Sequence, residues 1–324
     1  MTFTNITSLI FSVLFSITSF FSFIPRTIWY GNEQYTVDDE DNIIFNAAFI
    51  ADVHSQSAYF DERSSAIRKI ICGISQTSSV PDALVIAGDI SNASDSKEYR
   101  MLEWSLDTYN KIPNIIPATG NHDVRARASY AEAIGNFRDF ASFCGIETEK
   151  AYYSTSVKGF PFIVLGSEAQ LSLEAEISDE QIKWFEEQLA EAQKTGKPIF
   201  IICHQAMYNS HNVKYKPEAE ENWGLGEKSD TIEKIIRKYV PGYQCPVFFI
   251  SGHLHHTFND YTLDTAFCPN LYSISLPSVS KTDEGGLGMT AEVYSDKILL
   301  KERNFLTGEC FETFVCPLFY YSAY

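Results

Sequence analysis

The sequence predicts an α/β protein, and three observations carry that expectation. Between residues 43 and 255, short uninterrupted apolar runs alternate with segments of helical periodicity. The runs, such as DALVIAGD and PIFIICH, are apolar at every position rather than at every second one, which marks strands buried on both faces. The chain has 324 residues, 45% of them hydrophobic and 21% charged, enough for one large core or two modest ones.

The elements read in order as follows. IIFNAAFIAD (43–52) is a strand, SSAIRKIICGI (64–74) a helix, and DALVIAGD (82–89) a buried strand ending in Gly-Asp. KEYRMLEWSLDTYNKI (97–112) is helical, NIIPATGNHD (114–123) is a strand with its loop, and a helix follows from about Ser129 to Phe143. Residues 151–167 form a hairpin that turns at Lys158-Gly159. A helix runs from Asp179 to Thr195 with Ser178 as its N-cap. The strands PIFIICH (198–204) and PVFFISGH (246–253) flank a helix near 229–239, capped by Ser229. After His255 the runs become short and alternating, from YTLDTAF to CFETFVCP, which is all-β character.

The N-terminus is separate in kind. Residues 1–24 contain no charged side chain, and the run from Leu9 to Phe23 is apolar but rich in Ser and Thr. That length suits a signal peptide or membrane anchor, so the protein is expected to be secreted or membrane-anchored, with a buried N-terminal helix in the cytoplasm as the alternative. Residues 25–43, with the acidic stretch GNEQYTVDDEDNI, read as a linker. Residues 44–324 form the folded domain. Seven scattered cysteines with no CxxC pair leave at least one thiol free; Cys310 and Cys316 are close enough to pair across a turn. The net charge of −17 argues against nucleic-acid partners, whose binding depends on phosphate neutralisation.

Ligand groups in open α/β folds collect at the carboxyl ends of strands. Here the strand ends read Ala51-Asp52-Val53-His54, Gly88-Asp89, Gly120-Asn121-His122-Asp123, Cys203-His204 and Gly252-His253-Leu254-His255. Five of the seven histidines fall there. Mixed imidazole and carboxylate donors suit Zn, Mn or Fe(II) better than Ca. Donors drawn from segments roughly 200 residues apart describe a site built on a sheet rather than a local zinc knot.

The order D-x-H, G-D, G-N-H-D, lone H, G-H-x-H resembles the calcineurin-like metallophosphoesterase superfamily, over about residues 44–255. The resemblance implies a four-layer α/β/β/α sandwich of two mixed sheets, with the β-rich part 256–324 belonging to the second sheet. It implies two divalent ions (Mn, Fe or Zn): Asp52, His54, Asp89 and His255 on one, and Asp89, Asn121, His204 and His253 on the other, with Asp89 bridging. It further implies that His122 faces the phosphate or leaving group, and that Asp123 orients the His122 ring. A hydroxide held between the ions would then attack a phosphate ester. Many cyclic-nucleotide phosphodiesterases of the superfamily carry a second His beside the lone ligand; here Gln205 follows His204.

The pocket is read more coarsely. Residues 205–230 have no periodicity and form a lid or pocket wall. Asn92, Tyr208, His211 and Trp223 are the substrate-contact candidates, set against local loop packing. The expected function is hydrolysis of a phosphodiester or small organic phosphate. Phosphomonoesterase or protein phosphatase activity is the alternative, and a non-catalytic metal-binding scaffold is a third reading.

Overall fold

Two mixed six-stranded sheets stack face to face and carry helices on their outer sides. The computed structural model describes residues 27–30 and 33–36, and then 42–58, 62–77, 79–125, 129–214, 222–280 and 285–318. The expected signal or anchor segment, 1–24, lies outside these residues. Among the described residues no helix is long and apolar enough to cross a membrane.

The chain divides into two units at Asn42/Ile43. In the first, β1 (Thr27–Tyr30) pairs antiparallel with β2 (Glu33–Thr36), Thr27 lying opposite Thr36. A hairpin therefore stands inside the stretch 25–43 expected as linker.

In the second unit, one sheet is built on β3 (Phe45–Ile50), β4 (Ala83–Ala87) and β5 (Asn114–Ala118), which run parallel. The other is built on β7 (Phe160–Val164), β8 (Ile199–Ile202) and β9 (Val247–Ser251), also parallel, with β6 (Tyr153–Val157) antiparallel at one edge. The β6–β7 turn falls at Lys158-Gly159, both at positive φ (52° and 79°), as a primed two-residue turn requires.

The β-rich tail does not form one sheet, contrary to the expectation. Strands β10 (Leu263–Asp264) and β11 (Leu271–Ser275) extend the β6–β9 sheet, while β12 (Leu287–Val293), β13 (Lys297–Asn304) and β14 (Cys310–Pro317) extend the β3–β5 sheet. Each sheet had an unpaired edge to fill: β11 docks on β9 and β12 on β3. Cys310 and Cys316 both lie on β14 and are free. Extended chain holds them about 20 Å apart, far beyond disulfide reach.

Strand alternation sorts the core into layers. Phe200 and Ile202 of β8 and Phe248 and Ile250 of β9 face the β3 sheet, while Ile199, Ile201, Val247 and Phe249 face outward. Rings interlock between the sheets: Phe45 stacks on Phe160 at 4.4 Å, and Phe49 lies 5.8 Å from Phe200. Each buried phenylalanine contributes about 1.5–3 kcal/mol. Helices α1 (Glu62–Ile74), α2 (Ser96–Tyr109) and α4 (Tyr130–Phe143) cover the β3–β5 sheet, α3 being the short turn Asn121–Val124. Helices α5 (Asp179–Gln193) and α6 (Ser229–Tyr239) cover the other. Ser178 caps α5 as expected, accepting from the Gln181 N–H at 3.1 Å. Ser229 is instead the first helical residue of α6; its hydroxyl donates to Glu233 at 3.0 Å.

Candidate metal centre

The strands β3, β4, β5, β8 and β9 all stop at the same end of the sandwich, and each delivers chemistry there. Their backbones turn sharply as they leave the sheets. Asp52, His54, Asp89, His253 and His255 all take positive φ, between 46° and 72°. Such conformations are uncommon for residues with a Cβ and cost of order 1–3 kcal/mol each. The turns are held by hydrogen bonds between strand ends: Asp52 N–H to Gly88 O at 3.1 Å, and His54 N–H to Asp89 O at 2.8 Å. Close approach needs glycine at two places. A Cβ on Gly88 would sit 2.5 Å from the His204 ring, and one on Gly120 would sit 2.2 Å from the Asp89 carboxylate.

These turns bring two donor groups together. Asp52, His54, Asp89 and His255 form one, and Asp89, His204 and His253 form the other, each with its donor atoms within 4.8 Å of one another. Asp89 belongs to both. Asn121 is buried beside them; its Nδ2 donates to Ser172 O at 2.8 Å, so its Oδ1 has no hydrogen-bond partner. His253 Nε2 is likewise buried without one. His204 Nδ1 meets Ala87 O at 2.8 Å, which assigns the proton to Nδ1 and turns the Nε2 lone pair toward Asp89 Oδ2, 3.3 Å away. Buried lone pairs on two imidazoles and an amide, around a shared carboxylate, fit a divalent ion.

Charge supports the same conclusion. Burial alone would push the Asp52 carboxyl up, but the His255 hydrogen bond (2.9 Å) and the nearby His204 hold it below its ordinary value. Burial is likewise outweighed at Asp89, where His204 holds the carboxyl well below the usual range. Two ionised carboxylates thus lie side by side, each almost fully buried, and need positive charge beside them. From the protein alone this comes from a second proton on His204, at Nε2, which an ion bound there would displace. Burial disfavours the charged ring, but Asp89 and Asp52 prevail and push His204 up to about 9. Burial takes His54 down to about 4 and His253 down to about 3, so both keep lone pairs at neutral pH.

His122 stands apart from both groups. Its backbone N–H donates to Asp89 Oδ1 at 2.8 Å, and its Nδ1 lies 2.7 Å from the Asn92 carbonyl. Its Nε2 faces the Arg125 guanidinium, which can only donate, so that nitrogen is the acceptor. Asp123 does not orient this ring, contrary to the expectation. On the tight turn α3, Asp123 points inward and is fully buried. Its carboxylate accepts from the backbone N–H of Ile90, Ser91 and Gly120 and from the hydroxyls of Ser91 and Tyr99, at 2.8–3.0 Å. Asp123 therefore clamps the Asp89 loop to the α3 turn.

Of the four substrate-contact candidates, two reach the site. Asn92 lines the cavity next to His54, His122 and His255, and the Trp223 ring lies 5.2 Å from the His253 ring, half exposed. Tyr208 and His211 are corrections. Tyr208 is buried beneath Gly224 and bonds Glu174. His211 is buried between the Tyr261 carbonyl (2.6 Å) and the Ser273 hydroxyl (2.9 Å), fastening its loop to β10 and β11. The sequence reading missed Arg63, Arg125, Ser278 and Ser280. Arg125, two residues past the motif, was within its reach; Ser278 and Ser280 come from a remote loop with no signal.

The comparisons with known proteins agree with this geometry. The calcineurin-like phosphoesterase family model matches residues 45–257. Glycerophosphodiester phosphodiesterase GpdQ of Enterobacter lignolyticus (strain SCF1) is 26% identical over 142 residues, covering 44% of this chain and 48% of that protein. The chain thus spans about half the length of this relative. Among solved structures, a dimetal phosphatase from Danio rerio aligns with TM-score 0.56 and 15% identity, over 86% of this chain and all of that one. Yellow lupin purple acid phosphatase PPD1 aligns with TM-score 0.55 and 14% identity, over 88% of this chain and 56% of that one. At these identities the structural likeness speaks to the fold. The family match covers more than half of the chain and all five strand-end motifs, and the chain belongs to the calcineurin-like phosphoesterase family.

Proposed function

We propose that the protein is a phosphodiesterase that hydrolyses a small organic phosphodiester with two divalent ions. The observation that carries this reading is that Asp89 belongs to both donor groups. The preference for a diester is supported by the GpdQ relative, named for a glycerophosphodiester phosphodiesterase. Asp52, His54, Asp89 and His255 would hold one ion, and Asp89, Asn121, His204 and His253 the other. Bound there, two divalent ions supply Lewis-acid activation of water and neutralise charge on the phosphoryl group. Mn, Fe and Zn all suit these donors.

The chain's own groups supply the rest. His122 is aimed by Asn92 so that Nε2 can exchange a proton with the reacting oxygens. Arg125 occupies that nitrogen in the resting arrangement and would offer its positive charge to phosphoryl oxygens beside His122. Trp223 covers the outer side of His253. In this reading residues 1–24 direct export or anchor the protein at a membrane. Fractionation of cells expressing the full chain tests that, and a purely cytosolic product would refute it.

The chemistry is tested by adding Mn²⁺ to the purified full chain and comparing bis-p-nitrophenyl phosphate with p-nitrophenyl phosphate. A higher kcat/KM on the diester supports the proposal. A preference for the monoester would favour the phosphatase reading, which the dimetal phosphatase fold neighbour keeps open. Metal-loaded protein inactive on both would favour a non-catalytic scaffold.

A further inference from the structure

Beside the metal ligands lies a cavity of about 360 Å³. His54, His122 and His255 line its metal side, and Arg63, Ser278 and Ser280 line it beyond them. Arg63 is in the first turn of α1 and is partly buried. Its guanidinium makes no ion pair among the described residues; its contact is a long 3.5 Å bond to the His54 carbonyl. Lys158 and Lys301, by contrast, are held by carboxylates, Asp82 at 2.7 Å and Glu292 at 2.6 Å.

The two hydroxyls are also loosely engaged. Ser278 Oγ lies 3.3 Å from the Asp52 carbonyl and 3.5 Å from Ser280 Oγ, both at the weak end of hydrogen bonding. Both serines line the cavity, so each can turn its hydroxyl from a weak bond toward a guest. Among the described residues no carboxylate lines this cavity. A loosely held guanidinium with two adjustable hydroxyls is donor chemistry that suits a planar or tetrahedral oxyanion.

The scissile phosphoryl group already has its partners in the proposed function, namely the donor groups around Asp89 together with His122 and Arg125. We propose that Arg63, Ser278 and Ser280 form a separate anion subsite, which binds a second acidic group, carboxylate or phosphate, on the organic part of the substrate. This inference rests on the phosphoesterase reading and deepens it to a substrate class: small phosphate esters that carry a second negative charge.

The test uses the metal-loaded full chain. Inhibition constants are measured against whichever chromogenic ester it hydrolyses. The inhibitors are phosphoglycolate, ethylene glycol bisphosphate and 2-hydroxyethyl phosphate, which carry a carboxylate, a phosphate and a neutral hydroxyl. At least one anionic ligand should bind about tenfold or more tighter than the neutral one, the usual yield of a charged hydrogen bond. Which of the two is tighter names the source of the anion. Arg63→Gln should weaken that ligand about tenfold more than it weakens the neutral one, and Arg63→Lys should restore part of the difference. No preference in the wild type, or an equal loss for all three ligands in Arg63→Gln, would overturn the subsite. Absence of any chromogenic turnover would count against the phosphoesterase reading instead; calorimetric binding of the same three ligands would then decide the subsite by the same criteria.

Discussion

The strand ends and the segment that follows His204 are both irregular backbone, yet they are built in different ways. At the strand ends each turn is tied to another strand end: His54 to Asp89, Asp52 to Gly88, and the His253 N–H to the Asp52 carboxylate at 3.2 Å. The segment from Gln205 to Lys214 is tied to itself, with Asn209 N–H on Val213 O at 2.8 Å, and to elements away from the strand ends, with the Tyr208 N–H on the Ser229 hydroxyl at 2.9 Å and His211 on the Ser273 hydroxyl at 2.9 Å. The first region spends strain to converge on one point. The second is fastened away from that point, and beyond it the Trp223 ring lies 5.2 Å from that of His253. Both donor groups therefore belong to the cross-tied region.

The largest expected effect follows from breaking the point of convergence. Asp89→Ala removes the carboxylate common to both donor groups and the acceptor of the His122 N–H. Turnover should fall to background, and metal analysis should show fewer ions per chain than in the wild type. His122→Ala comes next. It keeps that backbone contact and all seven donors, so metal content should hold while kcat drops by roughly 10²–10⁴-fold. Metal loss in His122→Ala would place the residue among the ligands.

Asp123→Ala separates clamp from catalyst. Five donors lose their acceptor in a buried site, so urea unfolding should show a loss of about 3 kcal/mol or more. A variant of unchanged stability with an altered kcat–pH profile would instead restore Asp123 to the role of orienting His122.

The smallest effect is expected far from the site. Burial, and then the neighbouring Glu312, push the Glu302 carboxyl on β13 up to about 7, from an ordinary 4.5. The folded chain keeps a proton there that the unfolded chain releases. The stabilisation is complete below about 4.5 and is lost as pH rises through about 7. Glu302→Gln should flatten the fall in melting temperature over that window; an unchanged slope would show that Glu302 titrates normally.

The clustered donors were legible because each follows an apolar run, and a buried parallel strand leaves its next residues at a fixed edge. That rule needs no tertiary information. The role of Asp123 was not legible in the same way. Adjacent residues in a helical turn point about 100° apart, so its place after His122 implied neither a shared direction nor contact. His211 looked functional as a polar residue in a loop, but the strands that satisfy it begin about 50 residues later. The split of the β-rich tail between two sheets depends on which edges remain unpaired, and local sequence does not state that. Arg63 belongs to no motif, and its place in the cavity depends on how α1 packs beside His54.

The proposed chemistry depends on Asp89 standing between two ions. Anomalous diffraction from crystals of the full chain grown with Mn²⁺ would locate them. Two peaks are expected roughly 3.5–4 Å apart, with an Asp89 oxygen between them, His54 and His255 on one, and Asn121, His204 and His253 on the other. A single peak, or two peaks that do not share Asp89, would contradict it.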